Sequence, residues 1–126
     1  MSPRTVLYIE DNEFNRKIVR QLLSRTQYRL LEAVDGEAGV AAAVAELPDL
    51  ILMDVQLPKM SGLEATRILR SDVRTQHIPI VVITSFALSG DRERATEAGA
   101  AGYLAKPYSP RELLALVRRF LPEEPP

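Results

Sequence analysis

Four short apolar runs in the sequence each stop on a charged or hydroxyl side chain, and that pattern limits the fold more than any other feature. Val6-Leu7-Tyr8-Ile9 ends on Glu10-Asp11, Leu50-Ile51-Leu52-Met53 on Asp54, Ile80-Val81-Val82-Ile83 on Thr84, and Gly102-Tyr103-Leu104-Ala105 on Lys106. Amphipathic stretches separate the runs, as expected of βαβ units and a parallel sheet. In such a sheet every strand delivers its C-terminal end to the same edge. Three carboxylates, a hydroxyl and an ammonium would converge there, at the edge where open α/β sheets bind ligands.

The rest of the chain fits that scheme. Thr5 to Ile9 is expected as the first strand, followed by a helix capped by Asn12 or Asp11 that runs to about Ser24. Phe14, Ile18 and Leu22 form that helix's apolar stripe, so Phe14 is assigned to the core. Tyr28 to Ala33 is a second strand. A second helix opens at Asp35-Gly36, faces inward through Ala38, Ala41, Ala42 and Ala45, and stops at Leu47-Pro48-Asp49. The third strand is apolar throughout, as a central strand covered on both faces requires. A loop with Pro58 and Gly62 leads to a third helix from about Leu63 to Arg70. Gly90-Asp91 and Gly99 bracket a fourth helix, and Ser109-Pro110 starts a fifth, with Leu113, Leu116, Val117 and Phe120 inward. The expected fold is α/β: a five-stranded, doubly wound parallel sheet of the flavodoxin-like (βα)5 kind, in order 2-1-3-4-5. Residues 1–121 form one domain, and 122–126 a short Pro/Glu tail.

Composition narrows the function. The 126 residues carry 16 basic and 17 acidic side chains, which argues against a general nucleic-acid or membrane surface. No apolar run reaches the ~18 residues of a membrane span. There is no cysteine and one histidine, His77, so zinc chemistry has no ligand set. A soluble, cytoplasmic protein is expected. In the stated strand order the first and third strands are neighbours, which packs Glu10, Asp11 and Asp54 together. Unit charges ~4 Å apart repel by about 4 kcal/mol at an effective dielectric of 20. Such a cluster calls for a cation, and an all-oxygen donor set open to water suits Mg²⁺. Around it, Thr84 and Lys106 would be donors for a tetrahedral anion, the protein's main contribution to phosphoryl transfer.

These residues resemble the receiver domain of two-component response regulators (the CheY-like superfamily). The resemblance rests on Glu10-Asp11, on Met53-Asp54 followed by Leu57-Pro58-Lys59-Met60-Ser61-Gly62, on Thr84, and on Lys106-Pro107, and it spans about Val6 to Phe120. It implies that Asp54 accepts a phosphoryl group from a phosphohistidine on a kinase or phosphotransfer protein. Glu10, Asp11, Asp54 and the backbone carbonyl of Gln56 would hold Mg²⁺. Lys106 and Thr84 would stabilise the phosphoryl group, and Thr84 with Tyr103 would form the switch. The Lys106-Pro107 peptide is expected to be cis. The output surface would be the fourth helix, fifth strand and fifth helix, where Arg92, Arg94, Tyr103, Arg111 and Arg118 fall.

Finer expectations follow. Gln56 and Phe86 border the path of attacking water, so Phe86 would shield the phosphoryl group and Gln56 orient the water. Glu10 to Asn15 resembles the start of receivers in hybrid kinases and of single-domain regulators of the DivK type. Phe14 has an alternative role as a contact for the donor's helices. The competing reading of the whole chain is a receiver-like interaction module that works without phosphorylation. The complete acid set counts against it.

Overall fold

The computed structural model describes residues 3–85 and 90–123. Strands and helices alternate as β1 (Thr5–Ile9), α1 (Glu13–Leu23), β2 (Arg29–Ala33), α2 (Gly36–Glu46), β3 (Leu50–Asp54), α3 (Gly62–Ser71), β4 (Ile80–Thr84), α4 (Asp91–Ala98), β5 (Gly102–Ala105) and α5 (Pro110–Phe120). All pairings are parallel and the order is β2-β1-β3-β4-β5. The expected sheet is therefore the observed one.

Period-two alternation along the strands splits the core into two layers. Val6, Tyr8, Leu50, Leu52, Val81 and Ile83 pack against Val19 and Leu23 of α1 and Leu113 and Val117 of α5. Leu7, Ile9, Ile51, Met53, Ile80 and Val82 pack on the other face against Ala43 of α2, Ala65 and Leu69 of α3 and Ala95 of α4. Every residue of β3 and β4 is buried. Each buried aliphatic side chain contributes about 1.5–3 kcal/mol, so packing rather than intrinsic propensity holds helices this short.

Local chemistry sets the helix ends. The side chains of Asn12, Asp35, Ser61 and Ser109 accept from the backbone N–H three residues on, satisfying donors that a helix start leaves open. At α5, Glu112 returns the bond and completes a capping box. Gly99 ends α4 at φ 104, and a Cβ there would lie 2.4 Å from Arg70 Cγ.

Two helix faces differ from expectation. In α1 the inward residues are Arg16, Val19 and Leu23, whereas Phe14 is 69% exposed and Ile18 40%. The guanidinium of Arg16 turns inward to bond the Glu10 carbonyl, and Phe14 lies off the buried face. Phe14 is thus not a core residue. In α2 the buried residues are Gly36, Gly39 and Ala43; Ala38 and Ala42 pack half-buried against the core as expected, while Ala41 and Ala45 are exposed. The helix approaches closest along its glycines: a Cβ on Gly39 would lie 2.4 Å from Ile9 Cδ1. No helix among the described residues is long and apolar enough to cross a membrane.

Candidate functional site

The sheet register brings the polar strand ends together. Ile9 pairs with Met53, Asp54 with Ile83, and Thr84 with Ala105. The ladder continues just past the strands, where Glu10 N–H donates to Ala33 O at 3.0 Å, Val55 N–H to Ile83 O at 2.9 Å, and Lys106 N–H to Thr84 O at 2.8 Å. Residues from four segments of the chain therefore share one rim.

Glu10 and Asp54 are almost fully buried there, and Asp11 is exposed at the mouth. One carboxylate oxygen from each lies within 4.8 Å of the others. Lys106 reaches in from β5 and donates from Nζ to Glu10 Oε1 at 3.1 Å and to Asp54 Oδ2 at 3.0 Å. The Gln56 N–H donates to Asp54 Oδ1 at 3.0 Å. Glu10 is tied further: Oε1 also accepts from Asn15 Nδ2 at 3.0 Å and from the Tyr8 hydroxyl at 3.3 Å, and Oε2 from Asn12 N–H at 3.3 Å. Behind Asp54, Gly62 is required by close approach, because a Cβ there would lie 2.0 Å from the Asp54 carbonyl oxygen.

Crowding separates the carboxylates electrically. Burial, then the adjacent Glu10, pushes the Asp54 carboxyl up to about 6, against the pull of Lys106. Burial also works to raise Glu10, but hydrogen bonds with Asp54, Lys106 and Asn15 outweigh it and hold that carboxyl down at about 2. Asp11 lies above its ordinary value through partial desolvation and the Glu10 carboxylate. Desolvation disfavours the Lys106 ammonium, yet Asp54 and Glu10 raise its pKa overall. At neutral pH three carboxylates face one ammonium. This oxygen-only set with excess negative charge fits a hard divalent cation such as Mg²⁺.

Thr84 is buried at the end of β4, and the side-chain amide of Gln56 donates to its Oγ1 at 3.3 Å. Tyr103 is half-buried on β5, with the Arg92 guanidinium 5.1 Å from its ring centroid. The Lys106-Pro107 peptide is cis. Arg94, Arg111 and Arg118 are exposed, and Arg118 Nε bonds Glu123 Oε1 at 2.9 Å. Phe86 lies outside the described residues. His77 is exposed.

Sequence reasoning missed Tyr8, Asn15 and Arg16. Tyr8 carried a usable signal: residues two apart on a strand share a face, so a tyrosine two before Glu10 points the same way. Asn15 and Arg16 carried none, since a polar residue in the first turn of a helix usually faces water.

A (βα)5 sheet with an acid pocket, a lysine and a strand-end threonine at its C-terminal rim is the architecture of a signalling receiver. The family model described as response regulator receiver domain matches residues 6–118, and the chain belongs to that family, whose members are two-component response regulators that accept a phosphoryl group. Among its relatives is the polar-differentiation response regulator DivK of Brucella anthropi, 39% identical over 119 residues, covering 94% of this chain and 97% of that protein. The receiver domain of the sensor histidine kinase PA1611 from Pseudomonas aeruginosa superposes with a TM-score of 0.87 at 36% identity, covering 96% of this chain and 99% of that one. That structure has a magnesium ion coordinated in its active-site cleft. The chemotaxis protein CheY4 of Vibrio cholerae gives 0.89 at 29% identity, over 94% and 99%.

Proposed function

We propose that Asp54 is the phosphoacceptor of this receiver and that its phosphorylation changes what the α4–β5–α5 face binds. The observation that carries this reading is the Lys106 ammonium set 3.0 Å from Asp54 inside a pocket of three carboxylates. An Asp54 oxygen attacks the phosphorus of a phosphohistidine. The new O–P bond forms as the N–P bond breaks, and the released imidazole takes a proton. Asp54 must be ionised for this, and above about pH 6 it is. Lys106 balances charge as the phosphoryl oxygens arrive, and the Gln56 N–H keeps the carboxylate oriented.

Glu10, Asp11, Asp54 and the Gln56 carbonyl are the residues that would hold Mg²⁺. When bound, the ion offsets the repulsion between carboxylate and phosphoryl group. The acyl phosphate adds charge and acceptor oxygens at one point, and Thr84 then turns toward it. Tyr103, two residues before Ala105 on the neighbouring strand, follows. Gln56 and Phe86 would govern access of hydrolytic water. Residues 1–121 would act as the receiver and 122–126 as a tail.

The donor would be a histidine kinase or histidine phosphotransfer protein, and the target a protein rather than nucleic acid or membrane. The chemistry is self-modification rather than enzymatic turnover of a diffusible substrate, and a cytoplasmic site suits it. Likeness to both DivK and a sensor-kinase receiver supports a phosphorelay role. The test is incubation with acetyl phosphate, read by intact mass. The chain should gain one phosphoryl group only when Mg²⁺ is present, and the Asp54→Asn variant should gain none. Equal uptake by that variant would reject the assignment.

A further inference from the structure

Gln56 is engaged at two levels. Its backbone N–H donates to Asp54 Oδ1, while its side chain crosses to the end of β4. There Nε2 donates to Thr84 Oγ1 at 3.3 Å, and Oε1 accepts from the Ser85 N–H at 3.4 Å and the Ser85 hydroxyl at 3.2 Å. A backbone N–H can only donate, so Ser85 fixes the carbonyl end of the amide toward itself and the NH₂ end toward Thr84. Both ends of the amide are thus committed to two consecutive residues. One of these is Thr84, which is 1% exposed.

We infer that the Gln56 side chain is a clamp that holds Thr84 and Ser85 in the resting arrangement and thereby sets how readily the switch moves. This makes Gln56 a positioning residue, distinct from its expected part in orienting hydrolytic water. The inference rests on the reading of Asp54 as the acceptor. Two arrangements exchange populations only through interactions that differ between them. Bonds from Gln56 to Thr84 and Ser85 exist in the resting arrangement and must stretch when that segment moves toward Asp54. Each bond given up changes the balance roughly three- to tenfold. The same residue touches the acceptor carboxylate through its backbone N–H and the switch hydroxyl through its side chain, so Gln56 links Asp54 to the end of β4.

Amide hydrogen exchange followed by NMR on the whole chain tests this. In the Gln56→Met variant, which keeps the size and the backbone groups, the Ser85 amide should exchange roughly three- to tenfold faster. The Val55 amide, bonded to Ile83 O at 2.9 Å, should keep its rate. Gln56→Glu, which keeps an acceptor for Ser85, should restore the protection. After phosphorylation with acetyl phosphate and Mg²⁺ the bonds to Gln56 are released, so wild type and Gln56→Met should show the same Ser85 exchange rate. An unchanged Ser85 rate in Gln56→Met overturns the clamp, and so does equal acceleration at Val55, which signals general loosening. Failure of acetyl phosphate to label the wild type counts against Asp54 as the acceptor. The comparison of the unmodified proteins decides the clamp by itself.

Discussion

Replacing Asp11 by Asn should stabilise the metal-free protein. The Asp11 carboxylate oxygen lies within 4.8 Å of its counterparts on Glu10 and Asp54. At that distance, repulsion per pair is about 3.5 kcal/mol at an effective dielectric of 20 and about 0.9 kcal/mol in water. Asp11 is exposed, so the water-like end of this range applies. Two such neighbours, partly offset by Lys106, leave a gain of about 1–2 kcal/mol on neutralisation. Against this, Asp11 lies just before the Asn12 cap of α1, and loss of a favourable charge there costs about 0.5 kcal/mol. The net gain is about 1 kcal/mol, a rise in Tm of about 3–5 °C for a domain of this size. The assay is thermal unfolding in chelator at low ionic strength, repeated with Mg²⁺. Mg²⁺ at a hundred times its Kd stabilises the native state by about 2.7 kcal/mol. The wild type should gain more from it than the variant, so the ranking narrows or inverts. High salt should shrink the difference in chelator. An Asp11→Asn variant no more stable than wild type in chelator would refute the argument that the pocket is held under repulsion.

Three further outcomes follow from the geometry. Asp54 is raised to about 6 from 3.8, so its protonated form favours the fold, a contribution complete below 3.8 and lost as pH rises through 6. Glu10, lowered to about 2 from 4.5, contributes when ionised and loses its effect only as pH falls through 2. Metal-free protein should therefore lose urea stability between pH 5 and 7.5, and Asp54→Asn should lack that slope; parallel slopes would contradict the assignment. Lys106→Met leaves Glu10 and Asp54 without their ammonium and should cost about 3 kcal/mol at pH 7.5. The cost should be clearly less at pH 5, where Asp54 takes up a proton, and equal losses at both pH values in urea unfolding would count against the pairing. Gly62→Ala drives a methyl into the Asp54 backbone and should cost about 2–3 kcal/mol and weaken Mg²⁺ binding by calorimetry. Gly90→Ala, with nothing within 4 Å of its Cβ but φ at +100, should show only left-handed backbone strain of about 1–2 kcal/mol; equal effects on Mg²⁺ binding from both substitutions would reject the steric argument.

The sheet was legible because its signals are local. The apolar run Leu50–Met53 fits a central strand covered on both faces, and Ser109-Pro110 with Glu112 writes its own capping box. The rim residues followed from topology, since parallel strands in that order cannot place Glu10, Asp54, Thr84 and Lys106 anywhere but together. Helix faces were harder to read. The pattern of α1 offers Phe14, Ile18 and Leu22; Leu22 does pack against the core, but Arg16 takes an inward position and bonds the Glu10 carbonyl at 2.8 Å, while Phe14 stays exposed. In α2 the closest contact belongs to Gly39, which has no side chain, so a search for small apolar residues finds Ala38 and Ala42 beside the core but misses the glycine itself. Nothing local shows that Gln56 reaches Thr84 28 residues away, because that contact depends on how β3 and β4 are juxtaposed.

The central claim concerns one oxygen acid among three. Borohydride reduction of protein treated with acetyl phosphate and Mg²⁺ converts an aspartyl phosphate to homoserine, and peptide sequencing by mass spectrometry then reads its position. The account predicts homoserine at position 54 alone, and its absence when Mg²⁺ is chelated. Reduction product at position 11, a reduced Glu10, or an unmodified Asp54 under conditions that label the chain would contradict it.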